Sequence, residues 1–93
     1  MAANEAPDSR YDAAEAQFIS AVRAGHDREV LRELAAEVAA AAVEWQSTAY
    51  AAFFAERERS TEASRPVIEL EIEAERAELL SGLWADLSAA LTE

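Results

Sequence analysis

Apolar residues return at spacings of three and four along most of this chain, which is the helical period. Tyr11, Ala14, Phe18 and Val22 form one such stripe and predict a helix over about 9–24. Ser9 is its candidate N-cap, with Asp12 three residues on as an imperfect capping box. Gly25 predicts the stop, because glycine takes the left-handed conformation without a side-chain penalty. Asp27 is placed to cap a second helix. Leu31, Leu34, Val38, Ala41, Trp45, Thr48 and Ala52 then alternate by three and four, a heptad-type seam. Val43, Tyr50, Phe53 and Phe54 add apolar bulk off that seam. The second helix, expected over 27 to about 63, is therefore apolar nearly all round by its middle and should be buried on more than one side. Ser47-Thr48 is its one weak point, where a bend or restart is expected if anywhere.

Arg65-Pro66 is the clearest punctuation, since proline disfavours helix before it and fits a first helical turn. A third helix is expected from there to about residue 91. Its opening, Val67-Ile68-Glu69-Leu70-Glu71-Ile72-Glu73, alternates at the strand period. Helix is favoured, because Leu and Glu prefer it and the rest of the chain offers a strand no partner; a strand would have to pair with another molecule. Leu79, Leu80, Leu83, Trp84, Leu87 and Leu91 continue as a strong helical stripe, with Leu80, Leu83, Trp84 and Leu87 expected in the core. Ser81-Gly82 marks a kink or the start of a short fourth helix. The expected fold is all-α: a three-helix arrangement dominated by a long helical hairpin and completed by oligomerisation. Residues 1–8 are expected as a flexible tail, and 9–93 as a single helical domain.

Composition agrees with long helices: Ala fills 24 of 93 positions, while Gly and Pro number two each. Asp and Glu outnumber basic residues 19 to 8, for a net charge of -11, and every basic residue is Arg. Such a surface repels phosphate, so direct binding to nucleic acid or an anionic membrane is not expected. The absence of Cys excludes disulfides, thiolate metal sites and cysteine nucleophiles. No secretory leader is read at the N-terminus, and Val38–Ala55, although apolar, is mostly Ala and carries Glu44, Gln46, Ser47 and Thr48. A cytoplasmic protein is expected.

Candidate chemistry is sparse. His26 stands alone at a helix junction, where a solvated or capping role is expected, and the chain lacks the Glu-x-x-His pairs of di-iron bundles. No serine has a G-x-S-x-G context, and no phosphate loop, zinc spacing or EF-hand loop is present. Glu44 is the one carboxylate inside the most apolar stretch; it is either a buried functional group or the partner of an Arg. No enzyme activity and no cofactor are expected, a metal-binding or catalytic bundle being the remote alternative.

Interaction is the stronger expectation. Trp45, Tyr50, Phe53 and Phe54 lie within ten residues, and rings of this size dominate interface hot spots. They are the candidate partner-binding surface of an accessory subunit or self-associating module. The competing reading is an acidic inhibitor or nucleic-acid mimic that blocks a basic protein through Glu69, Glu71, Glu73, Glu75 and Glu78. A solvated acidic face is the simplest account of that run, since Glu near a helix N-terminus is favoured by the dipole. Over about ten residues, Glu44–Phe53 resembles the Trp-x-Gly family of small helical hairpins exported by type VII secretion. Ser47 stands where that family has glycine, and the break at Pro66 comes some twenty residues too late. Tyr11-x-x-x-Glu15 has the lettering of the family's export signal at the opposite end. No function is transferred from the resemblance.

Overall fold

A computed structural model describes residues 6–59 and 65–93, which form three helices: α1 (Pro7–Arg23), α2 (Arg28–Arg59) and α3 (Arg65–Thr92). No strand is present among the described residues, and 67–73 is helix. α1 begins earlier than expected. Pro7 occupies its first turn, where a missing N–H costs nothing, and Ala6 is the N-cap without a side-chain hydrogen bond. Ser9 lies inside the helix, its N–H bonded to Asp8 Oδ1 at 3.0 Å. The expected tail thus overlaps α1, and residues 1–5 lie outside the described residues. Gly25 ends α1 as anticipated, at φ 77. The His26 N–H reaches the Ala21 carbonyl and the Gly25 N–H reaches that of Val22, each at 3.1 Å, which satisfies the last turn. Asp27 caps α2 through Oδ1, 3.1 Å from the Val30 N–H. The expected end of α2 near 63 falls outside the described residues. α2 runs unbroken through Ser47-Thr48, and α3 runs unbroken through Ser81-Gly82.

These two glycines should respond oppositely to alanine. An added Cβ at Gly82 meets nothing within 4 Å on an ordinary helical backbone, so Gly82→Ala is expected to stabilise by about 0.5–1 kcal/mol. At Gly25 there is also space, but the positive φ strains any L side chain, and Gly25→Ala is expected to destabilise by about 1–2 kcal/mol. Thermal unfolding of the two variants checks both signs.

The α2–α3 pair is an antiparallel hairpin. Contacts run in opposite senses along the two helices, from Tyr50–Glu78 through Gln46–Ser81 to the Ser88 hydroxyl near the Arg32 carbonyl. α1 is antiparallel to α2, with Arg10 paired to Glu44 and Tyr11 against Trp45. α2 therefore has neighbours on two sides, as its apolar girth requires. Among the described residues no Cα of α1 comes within 8 Å of an α3 Cα. Those helices meet through side chains: the Trp84 Nε1–H donates to Tyr11 Oη at 2.9 Å, and Phe18 packs edge-on to Trp84 at 5.0 Å. The result is a flattened molecule, 51 × 33 × 16 Å.

The core seams differ from the expected ones in register. On α2 the buried row is Ala35, Val38, Ala42, Trp45, Ala49 and Phe53, while Thr48 and Ala52 face solvent. On α3 it runs Val67, Leu70, Ala74, Ala77, Ser81, Trp84, Ser88 and Leu91, all buried or half-buried and spaced by three and four. Five of these inward positions across the two helices are alanine, and Val38 is the largest side chain sealed completely. Small residues let the two backbones approach closely, and the α2 row at Ala35, Ala42, Ala49 and Phe53 lies one position on from the expected one. On α1, Tyr11 and Ala21 are buried, and Val22, expected inward, is half exposed.

Candidate functional site

The aromatic group expected to face a partner is divided by the fold. Trp45 is 7% exposed, lies against Tyr11 with ring centroids 5.3 Å apart, and donates Nε1–H to Glu73 Oε2 at 3.1 Å. One tryptophan thereby ties all three helices together. Phe53 is equally buried. Tyr50 is half-buried and stacks on Phe54 at 5.9 Å, and Phe54 alone of the four is half exposed. Trp45 is consequently a core residue, closed over by α1 and α3, and Phe53 is buried further along α2.

The large apolar exposure lies elsewhere. Ile68, Ile72, Leu79 and Leu83 are 47%, 59%, 64% and 55% exposed, and Leu87 borders them at 36%. Spacings of four, seven, four and four return them to one side of α3, roughly opposite the seam through Ala74 and Ala77. α3 is apolar on two faces: one is the core, the other has no neighbour among the described residues. Leu83 and Leu87, expected in the core, belong to this outer stripe; Leu80 and Trp84 do pack against the core. The stripe also explains the alternation at 67–73. Val67 and Leu70 point inward, Ile68 and Ile72 outward, and the intervening Glu residues take the flanks. The signal was present in the sequence: once a three-four seam is assigned to α3, six large aliphatic residues remain; Leu80 packs beside the core and the other five fall on a second face.

The five glutamates are also divided. Glu69 pairs with Arg65 at 3.0 Å, Glu73 accepts from Trp45, and Glu78 Oε1 accepts from the Tyr50 hydroxyl at 2.5 Å. Glu71, Glu75 and Glu78 nevertheless form a column at helical spacing beside the outer stripe. Their field is felt by Tyr50, whose phenol is pushed up to about 12, first by the bond to Glu78, then by desolvation, and then by the charges of Glu78, Glu75 and Glu71. Tyr11 is also raised, chiefly by burial, with its hydroxyl receiving Trp84 and donating to Glu15 Oε2 at 3.0 Å.

The Tyr50 shift has a definite sign. Below the unfolded value of 10.0 the phenol keeps its proton in both states, and the contribution to stability is complete. Between there and about 12 the folded chain holds a proton that the unfolded chain releases, so stability falls as pH rises. Unfolding midpoints measured across this alkaline window should drop less steeply in Tyr50→Phe than in the parent.

Little else in the molecule converges on chemistry. His26 is exposed, and its backbone N–H closes α1. Glu44 is exposed and paired with Arg10, the Arg-partner alternative. Among the described residues no three His, Asp or Glu side chains are placed to hold a metal ion, and no helix is long and apolar enough to cross a membrane. A depression beside Phe54, Arg57 and Glu58 is shallow and open to solvent. No family model matches the chain, and no curated protein or solved structure matches it.

Proposed function

We propose that the protein is a non-enzymatic helical interaction module, an accessory subunit or assembly unit, that docks a protein partner on the outer face of α3. The carrying observation is the stripe Ile68, Ile72, Leu79, Leu83 and Leu87, left in water on a helix whose other face already closes the core. Five large aliphatic side chains exposed along one helix face are more than the scattered single ones a monomer surface ordinarily carries. Burial of that stripe would drive association, and the acidic surroundings would keep the chain soluble and discriminate among partners. A cytoplasmic setting is part of the same proposal. The inhibitor or nucleic-acid mimic reading has less support, because Glu69, Glu73 and Glu78 are engaged within the chain and do not form an independent row of charges.

The test uses a neutral solvatochromic dye on the folded protein. Saturable binding with a blue shift is expected, and it should disappear in Leu79→Glu/Leu83→Glu with the helical circular dichroism unchanged. Dye binding absent from the parent, or indifferent to the substitution, would overturn the reading.

A further inference from the structure

We infer that the outer face of α3 is built for a basic amphipathic helix, one with a Leu/Ile stripe edged by Lys or Arg, and not for a second copy of this chain. The inference rests on the docking reading above and names its occupant. Length comes first. From Ile68 to Leu87 the stripe covers 19 residue steps, about 28 Å at 1.5 Å per residue, which matches five turns of a partner helix. A helix laid along another presents anchors at the same three-four spacing, so the pattern of exposed aliphatics selects that shape of ligand.

Charge then selects the partner's edges. The column Glu71, Glu75, Glu78 borders the stripe on one side, and its field already reaches Tyr50 on α2. Asp86 continues the acidic character toward the C-terminal end. On the other side Arg65 is neutralised by Glu69, and Arg76 is the remaining cation along the stripe. The patch is therefore acidic along one border, carries Arg76 at the other, and is net negative in sum. Opposite charge on the partner's edge satisfies this, and like charge is penalised.

A second copy meets the wrong charge. If two α3 helices packed antiparallel about a two-fold axis with their stripes overlapping, each flank would face its own counterpart, bringing Glu75 and Glu78 of one copy near those of the other. Each chain also carries a net charge of -11, so dimerisation adds long-range repulsion to the local clash. An anionic lipid surface is disfavoured by the same sign argument.

The test titrates the intact protein with two synthetic 18-residue helical peptides sharing one leucine stripe, one edged with Lys and one with Glu, by fluorescence anisotropy at low and high salt. Saturable one-to-one binding of the Lys peptide is expected, at least tenfold tighter than the Glu peptide and weakened by added salt. Glu71→Lys/Glu75→Lys should reduce it at least tenfold, and Leu79→Gln/Leu83→Gln should abolish it. Equal binding of both peptides, lost in the leucine variant, would overturn the basic partner and leave the docking face standing. So would a concentration-dependent dimer in sedimentation that the leucine variant abolishes. Lys-peptide binding that survives the leucine variant would reduce the contact to bulk charge and overturn the inference. If neither peptide binds while the dye still does, the helical occupant fails; if the dye fails too, the docking face itself is wrong.

Discussion

Replacing Trp45 by alanine should cost about 3–5 kcal/mol, the range for truncating a buried tryptophan. A domain of this size has roughly 5–15 kcal/mol in total, so the variant should lose about a fifth of its stability or more. Trp45 has this weight because its ring lies on Tyr11 of α1 while its Nε1–H reaches Glu73 of α3. Truncation therefore removes apolar burial and also leaves two interfaces without their shared piece. The thermal midpoint should fall by roughly 20 °C. Trp45→Phe keeps most of the ring and loses the hydrogen bond, so its cost should be nearer 1–2 kcal/mol. Phe54→Ala is the control. That ring is half in water, and its loss should change stability by less than about 1 kcal/mol. Urea unfolding followed by circular dichroism orders the three variants. Equal costs at Trp45 and Phe54 would mean that the two rings share one environment.

Ala42→Leu should be the most damaging single enlargement, at about 2–3 kcal/mol. Ala42 is 0% exposed in the cluster that also holds Ala74 and Ala77, likewise sealed. A leucine there has no cavity to enter, so either the helices separate along the seam or the side chain adopts a strained rotamer. Separation would also pull Trp45 from Glu73 and Tyr50 from Glu78, which lie along the same pair of helices. Ala40→Leu, on the exposed side of α2, should be nearly neutral. Comparable losses at both positions would contradict a close-packed alanine seam.

The contrast between these variants reflects what could be read from the chain before its fold was known. Helix number, order and most ends were legible, because Gly25, Asp27 and Pro66 act through local backbone chemistry. The α2 seam was legible only to within one position. Leu31 and Leu34 set the expected register and a strict three-four repeat carries it to Thr48 and Ala52, whereas the buried row follows Ala35, Ala42, Ala49 and Phe53. The aromatic cluster was visible, but its destination depended on α1 and α3 folding over it, which no local pattern encodes. Trp45 found Tyr11 and Glu73, residues 34 positions earlier and 28 later. The outer stripe was missed for a related reason. Leucines at helical spacing in α3 looked like one face, although Leu80 with Trp84 and Leu79 with Leu83 lie on different sides. Ile68 and Ile72 were hidden further by the strand-like alternation of 67–73. Glu73 and Glu78 read as free charges because the long-range donors Trp45 and Tyr50 cannot be paired with them from sequence spacing.

The central claim is that α3 carries two apolar faces and that only one holds the fold together. The direct measurement is the urea unfolding free energy of Ile72→Gln/Leu79→Gln/Leu83→Gln, set beside that of Trp45→Ala. Glutamine matches leucine closely in helix propensity, so the triple variant isolates burial. The three outer substitutions together should cost less than the single core one, with the dependence on urea unchanged. A triple variant that loses as much as Trp45→Ala, or that no longer unfolds cooperatively, would make the outer stripe part of the core and contradict the account.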